Sequence, residues 1–315
     1  MKKYAFLFPG QGAQYPGMVK DFYDQYPVAR LTFEEADDYL HCAFSRLIFE
    51  GSADELTLTK NSQIAIYIAS MAVLRTVQEQ FPDLTPAACS GLSLGEYTAL
   101  TAAGKIAFTD CLGLVRTRAE AMHLACEQSP GSMQVVLGMS PEAIQDVLHV
   151  LNISVWIANL NCPGQVVISG TLEALAVAAE ALRKEGAKRI LPLDVSGAFH
   201  SGLMEPARQA LSSKMEGITF HLSETKVVMN VSGDYVFSHM QQMLLDQVIS
   251  PVRWESGIRR MVELGIDAYI EMGPGKTLAG MNKRIGVNQP TYSVEKIADL
   301  DLLVKLMESY ATIES

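Results

Sequence analysis

No uninterrupted apolar stretch in these 315 residues approaches the roughly 20 that a membrane-spanning helix requires, so a membrane protein is not expected. The first apolar run, Tyr4 to Phe8, stops at Pro9 and Gly10, short of the about 7 to 15 apolar residues of a secretory signal. Paired cysteines are also lacking. Cys42, Cys89, Cys111, Cys126 and Cys162 are odd in number and include no C-x-x-C pair, which argues against a disulfide framework and a metal site and makes a reducing cytoplasm the expected setting. Positive charge is scarce too. A formal net charge of −10 argues against a general nucleic-acid binder, whose phosphate contacts demand a basic face. Internal repeats and polar tracts are missing, so nothing points to a solenoid or a disordered segment. What remains is a chain 49% hydrophobic and 19% charged, suited to one large domain, or a large one with a compact insert.

The apolar pattern places a buried strand at Tyr4 to Phe8, an apolar helix at Ile64 to Gln78, and a short strand at Ala87 to Ser90 that turns through Gly91 into a helix from Leu94 to Ala103. Between about residues 125 and 196 the order changes. A strand (Met133 to Gly138), a helix opened by Pro141, a strand (Ile153 to Ala158), a loop (Asn161 to Gly164), a strand (Gln165 to Ser169), a helix capped by Thr171 and ended by Gly186, and a strand (Lys188 to Leu193) make a β-α-β-β-α-β series, the ferredoxin-like signature of an inserted small domain. Helices from Leu203 to Met215 and from Glu255 to Leu264 follow, with strands at Val227 to Asn230 and, as the last clear one, Ala268 to Met272. Strands alternating with helices favour a parallel α/β sheet for the large domain.

Gly91-Leu92-Ser93-Leu94-Gly95 matches G-x-S-x-G, the elbow that lifts a serine hydroxyl onto a strained turn between strand and helix. Taken alone the match is weak; the strand before it and the helix after it supply the required context. A serine nucleophile needs a base. Of six histidines, four fall in helix-patterned sequence, whereas His200 lies in the flexible Ser196 to Gly202 lead into a helix; residue pattern alone does not single it out. Arg118 is the stronger clue. On a helix from Cys111 to Cys126 it falls amid the apolar arc of Leu114, Val115, Met122 and Ala125, with Arg116 directed away. A guanidinium on a buried face needs an anionic partner, either an internal acid or the carboxylate of a substrate, which its planar fork fits.

Two glycine motifs lose on inspection. Gly10-Gln11-Gly12 follows a strand as a dinucleotide loop does, but Tyr15 stands where the third glycine belongs. Gly275-Lys276-Thr277 imitates the end of a phosphate loop, yet Ile270 replaces its first glycine.

Phe8-Pro9-Gly10-Gln11-Gly12-Ala13-Gln14, Gly91-Leu92-Ser93-Leu94-Gly95-Glu96-Tyr97, Arg118, Asn159 to Gln165, Gly197-Ala198-Phe199-His200-Ser201, Gln247 with Pro251, and Gly273-Pro274-Gly275-Lys276 together resemble, in order and over nearly the whole chain, the malonyl-CoA:acyl carrier protein transacylases. The resemblance implies an α/β-hydrolase-like catalytic domain of residues 1–124 and 197–315 and a ferredoxin-like insert of residues 125–196 covering the cleft. It implies Ser93 as nucleophile, His200 as base, the backbone carbonyl near Gln247 as the group orienting the imidazole, the N–H groups of Gln11 and Leu94 as oxyanion hole, Arg118 on the malonyl carboxylate, and Met122 and Phe199 in the acyl pocket. By the same resemblance the substrate is a coenzyme A thioester, malonyl-CoA, the partner a holo acyl carrier protein, no cofactor is bound, and a monomer in fatty acid synthesis is expected. Many members carry histidine where this chain has Leu92, which leaves the reaction class untouched. Phe199 matches members that take unbranched malonyl. Since both partners are anionic, the clusters Lys184, Lys188, Arg189 and Lys276, Lys283, Arg284 are the candidates to offset the net acidic charge. Other readings are a discrete polyketide-synthase acyltransferase, a serine hydrolase with Asp194 as its acid, and an idle docking subunit.

Overall fold

The computed structural model describes residues 2–311, and among these ten strands form two sheets. The strands are β1 (Tyr4–Phe8), β2 (Pro86–Gly91), β3 (Gly131–Leu137), β4 (Val155–Cys162), β5 (Gln165–Thr171), β6 (Arg189–Pro192), β7 (Lys226–Met229), β8 (Asp234–Tyr235), β9 (Ala268–Met272) and β10 (Thr291–Val294). The first sheet has the order β10-β9-β1-β2-β7-β8. Every neighbouring pair in it is parallel except β7 with β8. All five residues of both β1 and β9 are buried, as strands covered by helices on both faces must be, and neither alternates apolar with polar residues; β1 is apolar throughout and β9 interrupts its apolar residues only with Glu271.

The second sheet, β4-β5-β3-β6, is antiparallel throughout. Helices Pro141–Leu151 and Leu172–Lys184 pack on it around an apolar cluster of its own that includes Val136, Ile144, Leu148, Ile168, Leu175 and Leu182. Ser140 and Thr171 cap these helices by accepting from the N–H groups of Ala143 and Ala174. The sheet is fastened to the rest of the chain through its edge strand: Leu160 N–H donates to the Val252 carbonyl and Val252 N–H to that of Ala158, each at 2.8 Å.

That fastening explains one difference from the sequence reading. The strand predicted at Ile153 to Ala158 begins at Val155 and continues to Cys162, taking in Asn159 and Asn161. Both asparagines are buried on a strand whose register against β5 shifts twice, so polar residues that suggest a loop belong here to an irregular strand. β10 is a further strand after Ala268–Met272; its four residues are short and polar in alternation, and they pair with β9 at the sheet edge. Helices Lys20–Gln25, Pro27–Leu40, Phe44–Glu50, Ala53–Thr57, Thr277–Ile285 and Leu300–Ala311 were not anticipated either. Only His123 and His149 lie in helices; His41 and His239 are left-handed residues flanking helix ends.

The chain enters its central turn with no spare room. A methyl group at Gly95 would collide with the Phe8 carbonyl, because the helix start rides directly over the end of β1. Gly280, by contrast, lies within helix Thr277–Ile285 with open space around it. We therefore expect Gly95→Ala to lower unfolding free energy by about 3 kcal/mol or more and Gly280→Ala to raise it by roughly 0.5 to 1 kcal/mol, as read by urea denaturation. Equal effects would contradict the close approach.

Candidate active site

Between β2 and helix Gly95–Ala102 the backbone turns through Ser93, whose φ of 53° is left-handed. A non-glycine residue held there costs about 1 to 3 kcal/mol and persists only when its surroundings over-determine it. They do so here. Ser93 N–H donates to Asn230 Oδ1 at 2.7 Å, Asn230 Nδ2 donates to the Gly91 carbonyl at 2.8 Å, and Leu92 N–H donates to the Phe8 carbonyl at 3.0 Å. Asn230, just beyond β7, thus clamps both sides of the turn and presents the Ser93 hydroxyl at its crest.

His200, buried and also left-handed with φ 56°, stands with Nε2 2.8 Å from Ser93 Oγ and Nδ1 2.8 Å from the Gln247 carbonyl oxygen. A carbonyl only accepts, so the ring proton belongs on Nδ1, and bare Nε2 is left to accept from the serine hydroxyl. Burial lowers the imidazole pKa to about 4, aided by the nearby Arg118 charge and opposed by the backbone acceptors Gln247 and Ser250. The ring is therefore neutral, and able to take a proton, throughout the neutral range. Asp194, the acid that a hydrolase triad would need, is exposed, and the Nδ1 partner is main chain. The structure thus corrects the Ser, acid, His order that a hydrolase reading had attached to Asp194.

Arg118 is 1% exposed. Its Nη2 donates to Ser93 Oγ at 3.0 Å and to Gln247 Oε1 at 2.9 Å, its Nη1 donates to Gln63 Oε1 at 2.5 Å, and its guanidinium carbon lies 5.4 Å from the centroid of the Tyr97 ring. Nε has no hydrogen-bond partner. Among the described residues it forms no ion pair, whereas Arg116, on the other face of helix Phe108–Gln128, pairs with Glu120 at 2.9 Å. An internal acid was one of the two partners that sequence allowed for Arg118; neutral oxygens surround it instead. Desolvation depresses its pKa, but an arginine keeps its charge in proteins, so the site holds a water-deprived cation.

A cavity of about 320 Å³ opens at these groups, with Gln11, Ser93, Met122, Phe199 and His200 on its walls. Leu94 and Arg118 do not line it directly; Arg118 reaches the hydroxyl from behind. Of the described hydrogen bonds, none uses the backbone N–H of Gln11 or Leu94. Sequence reasoning missed Gln63, Asn230 and the buried Glu96 as members of this network. Gln63 had one signal, a polar residue at the head of an apolar helix; Asn230, at the end of a strand, had none.

The acyl transferase domain family matches residues 5–306. The chain is similar to the malonyl CoA-acyl carrier protein transacylase of Bacillus subtilis, 42% identical over 98% of each chain. In three dimensions it is similar to the malonyl CoA-acyl carrier protein transacylase of Clostridium perfringens, with TM-score 0.94, 35% identity, and coverage of 99% of this chain and 100% of the other. A malonyl-transacylase solved in complex with its type II PKS acyl-carrier protein superimposes with TM-score 0.89 at 37% identity, covering 95% and 98% of the two chains.

The depressed histidine pKa has a direct consequence. A serine activated by this neutral ring should keep its full reactivity above the folded-state pKa and lose it as pH falls through about 4, not through the ordinary histidine value of about 6.5. The rate at which a neutral sulfonyl fluoride modifies Ser93 should stay flat from pH 7 down to about 5 while tryptophan fluorescence reports an intact fold. An inflection near 6.5 would contradict it.

Proposed function

The chain belongs to the acyl transferase domain family and, within it, to the malonyl CoA-acyl carrier protein transacylases, and from that premise we propose that it moves malonyl as an ester on Ser93. In the first half-reaction His200 Nε2 takes the Ser93 proton as Oγ attacks the thioester carbon of malonyl-CoA. The C–S bond then breaks, and the departing coenzyme A thiolate receives that proton from His200. The second half runs in reverse: the phosphopantetheine thiol of holo acyl carrier protein gives its proton to His200 and attacks the malonyl-serine ester, the C–Oγ bond breaks, and His200 returns the proton to Ser93 Oγ as the acyl group leaves on the carrier thiol. The Gln247 carbonyl keeps the ring in the tautomer both halves require and, unlike an aspartate, adds no negative charge.

The free N–H groups of Gln11 and Leu94 are the donors for the oxyanion of each tetrahedral intermediate. Arg118 takes the malonyl carboxylate, and this assignment carries the proposal: a fully buried guanidinium, 3.0 Å from the nucleophile, with no acidic partner. Met122 and Phe199 enclose the acyl group, the Phe199 ring leaving little room for an α-branch. Among the described residues the partner of His200 Nδ1 is the Gln247 main-chain carbonyl and not a triad acid, and a substrate-anchoring cation favours a defined acyl donor over general ester hydrolysis.

We read residues 1–124 and 197–315 as an α/β-hydrolase-like domain and residues 125–196 as a ferredoxin-like insert over its cleft. The strand order β4-β5-β3-β6 supports the insert. So do Met133, Val135 and Val167, which lie on β3 and β5 and line the same cavity as Ser93. One chain supplies every group of the site, so a monomer suffices, and among the described residues no helix is long and apolar enough to cross a membrane. The five free cysteines fit a reducing cytoplasm. Of the cations considered for carrier docking, Lys184 and Lys276 already pair with Glu180 and Asp299, which leaves Lys188, Arg189, Lys283 and Arg284 as the stronger candidates. The product is an extender unit, for fatty acid synthesis in the first reading and for polyketide synthesis in the second, the latter kept because the similar transacylase was solved with a polyketide carrier.

Intact-protein mass after exposure to malonyl-CoA tests the ester. One malonyl should appear on the wild type, none on Ser93→Ala, and addition of holo carrier protein should discharge it to the carrier rather than to water. Ser93→Ala, His200→Ala and the double variant should lose transfer activity by similar factors, because nucleophile and base act as one unit. An adduct that persists on Ser93→Ala, or discharges equally fast without carrier, would overturn the proposal.

A further inference from the structure

Glu96 is a fully buried acid to which the transfer chemistry above gives no part. It sits in the first turn of helix Gly95–Ala102, where the partial positive charge of the helix start favours a carboxylate. Both of its oxygens accept: Oε1 from the Asn230 N–H at 2.5 Å and Oε2 from Gln247 Nε2 at 2.6 Å. These donors belong to the two residues that hold the reacting groups. Asn230 clamps the Ser93 turn, and Gln247 carries both the carbonyl facing His200 and the side-chain oxygen facing Arg118.

The Gln247 side chain is an amide, with one face that accepts and one that donates, and it lies between Glu96 and Arg118. Either orientation is sterically available to an amide; the neighbours choose. A group that only accepts draws Nε2 toward itself, where Nε2 also donates to the Ser93 carbonyl at 2.8 Å, and so turns Oε1 toward the guanidinium. Resting on the malonyl reading, we infer that Glu96 is a positioning residue: its carboxylate fixes the Gln247 amide and thereby aims the Arg118 guanidinium at the substrate carboxylate. Burial pushes the Glu96 pKa up to about 8, while the Asn230 N–H, the Arg118 charge and the Gln247 amide hold it back, so the acceptor-only carboxylate dominates above that pH, where the comparison below is made. The two strong hydrogen bonds and the helix start are what keep an acceptor-only group in so dry a place.

Glu96→Gln keeps one acceptor, which the fixed Asn230 N–H claims, and sets its NH₂ against the Gln247 Nε2 donor. Gln247 can relieve the clash by turning its own amide, and it then presents NH₂ to Arg118. Specificity constants for malonyl-CoA and acetyl-CoA, measured with kcat and KM separated, test this. Both should fall, since Asn230 and the serine turn are disturbed, but the malonyl-to-acetyl ratio should drop about tenfold or more, with the excess loss in malonyl KM, because only malonyl needs the guanidinium. Should Glu96→Gln not fold, Glu96→Asp replaces it: a carboxylate one methylene short cannot reach both donors, and the ratio should fall in the same direction by less. Glu271→Gln is the control. That buried carboxylate accepts from Leu278 N–H, Ala279 N–H and Ser293 Oγ, so its loss should lower melting temperature and leave the ratio unchanged. A ratio unchanged in the Glu96 variant that folds, with both substrates slowed alike, overturns the positioning role. The Ser93 adduct on wild-type protein is measured alongside, so that its absence, which undoes the malonyl reading itself, is told apart from failure of the Glu96 role alone.

Discussion

A guanidinium deprived of water and given no carboxylate in direct contact is expensive to maintain, and much of the polar structure at the centre of this fold surrounds it. Arg118 receives neutral oxygens from Gln63, Gln247 and Ser93 and the face of an aromatic ring, contacts that soften its desolvation without cancelling its charge. In the proposed reading, an anion that arrives with the substrate would find a cation already desolvated and oriented. Part of the ordering cost of binding is thereby met in folding, which is what preorganisation means in energetic terms. Burial first, and then the same charge, depress the pKa of His200, so in the proposed reading one residue would both recruit the acyl donor and help to keep the base free of its proton.

The strain at Ser93 and His200 belongs to the same design. Both are non-glycine residues with positive φ, and each is held by contacts that come from far away in sequence. The parallel sheet makes this possible: β1, β2 and β7 run side by side, so the segments that leave their carboxyl ends, carrying Gln11, Ser93 and Asn230, converge at one edge. Ligands of open α/β sheets gather at that edge for the same topological reason. The second sheet then contributes apolar side chains to the wall of the cavity, which on the proposed mechanism would limit the access of water to the Ser93 ester until its acceptor thiol arrives.

Much of this was legible in the sequence, and the division between what was and what was not has a physical basis. The elbow is a local pattern, five residues in which glycine is required by close backbone approach, and it reads directly. Arg118 is also local in kind, since its place on an apolar helix arc follows from helical periodicity. His200 could be proposed only through the family resemblance, because nothing in its flanking residues reveals a base. The supporting network was not legible at all: Ser93 and Asn230 are 137 positions apart, and Glu96 and Gln247 are 151 apart. Contacts of that range are set by sheet order, and no periodicity encodes them. The missed edge strand β10 and the strand that swallowed Asn159 and Asn161 tell the same story, since main-chain pairing with neighbours overrode what the side chains suggest in isolation.

The central claim is that Arg118 is charged, buried and unpaired in order to bind a carboxylate. It is tested most directly by the ratio of kcat/KM for malonyl-CoA to that for acetyl-CoA in the wild type and in Arg118→Ala. Truncating one partner of a desolvated charge pair costs roughly 2 to 5 kcal/mol, so malonyl transfer should fall by about 30-fold to several thousand-fold, while acetyl transfer, which leaves the cation without its anion in the wild type, should fall far less or improve. Lysine at this position should recover only part of the loss, since a point charge cannot form the planar two-bond fork. If both substrates instead fall by the same factor, Arg118 serves the fold rather than the substrate, and the account is wrong at its centre.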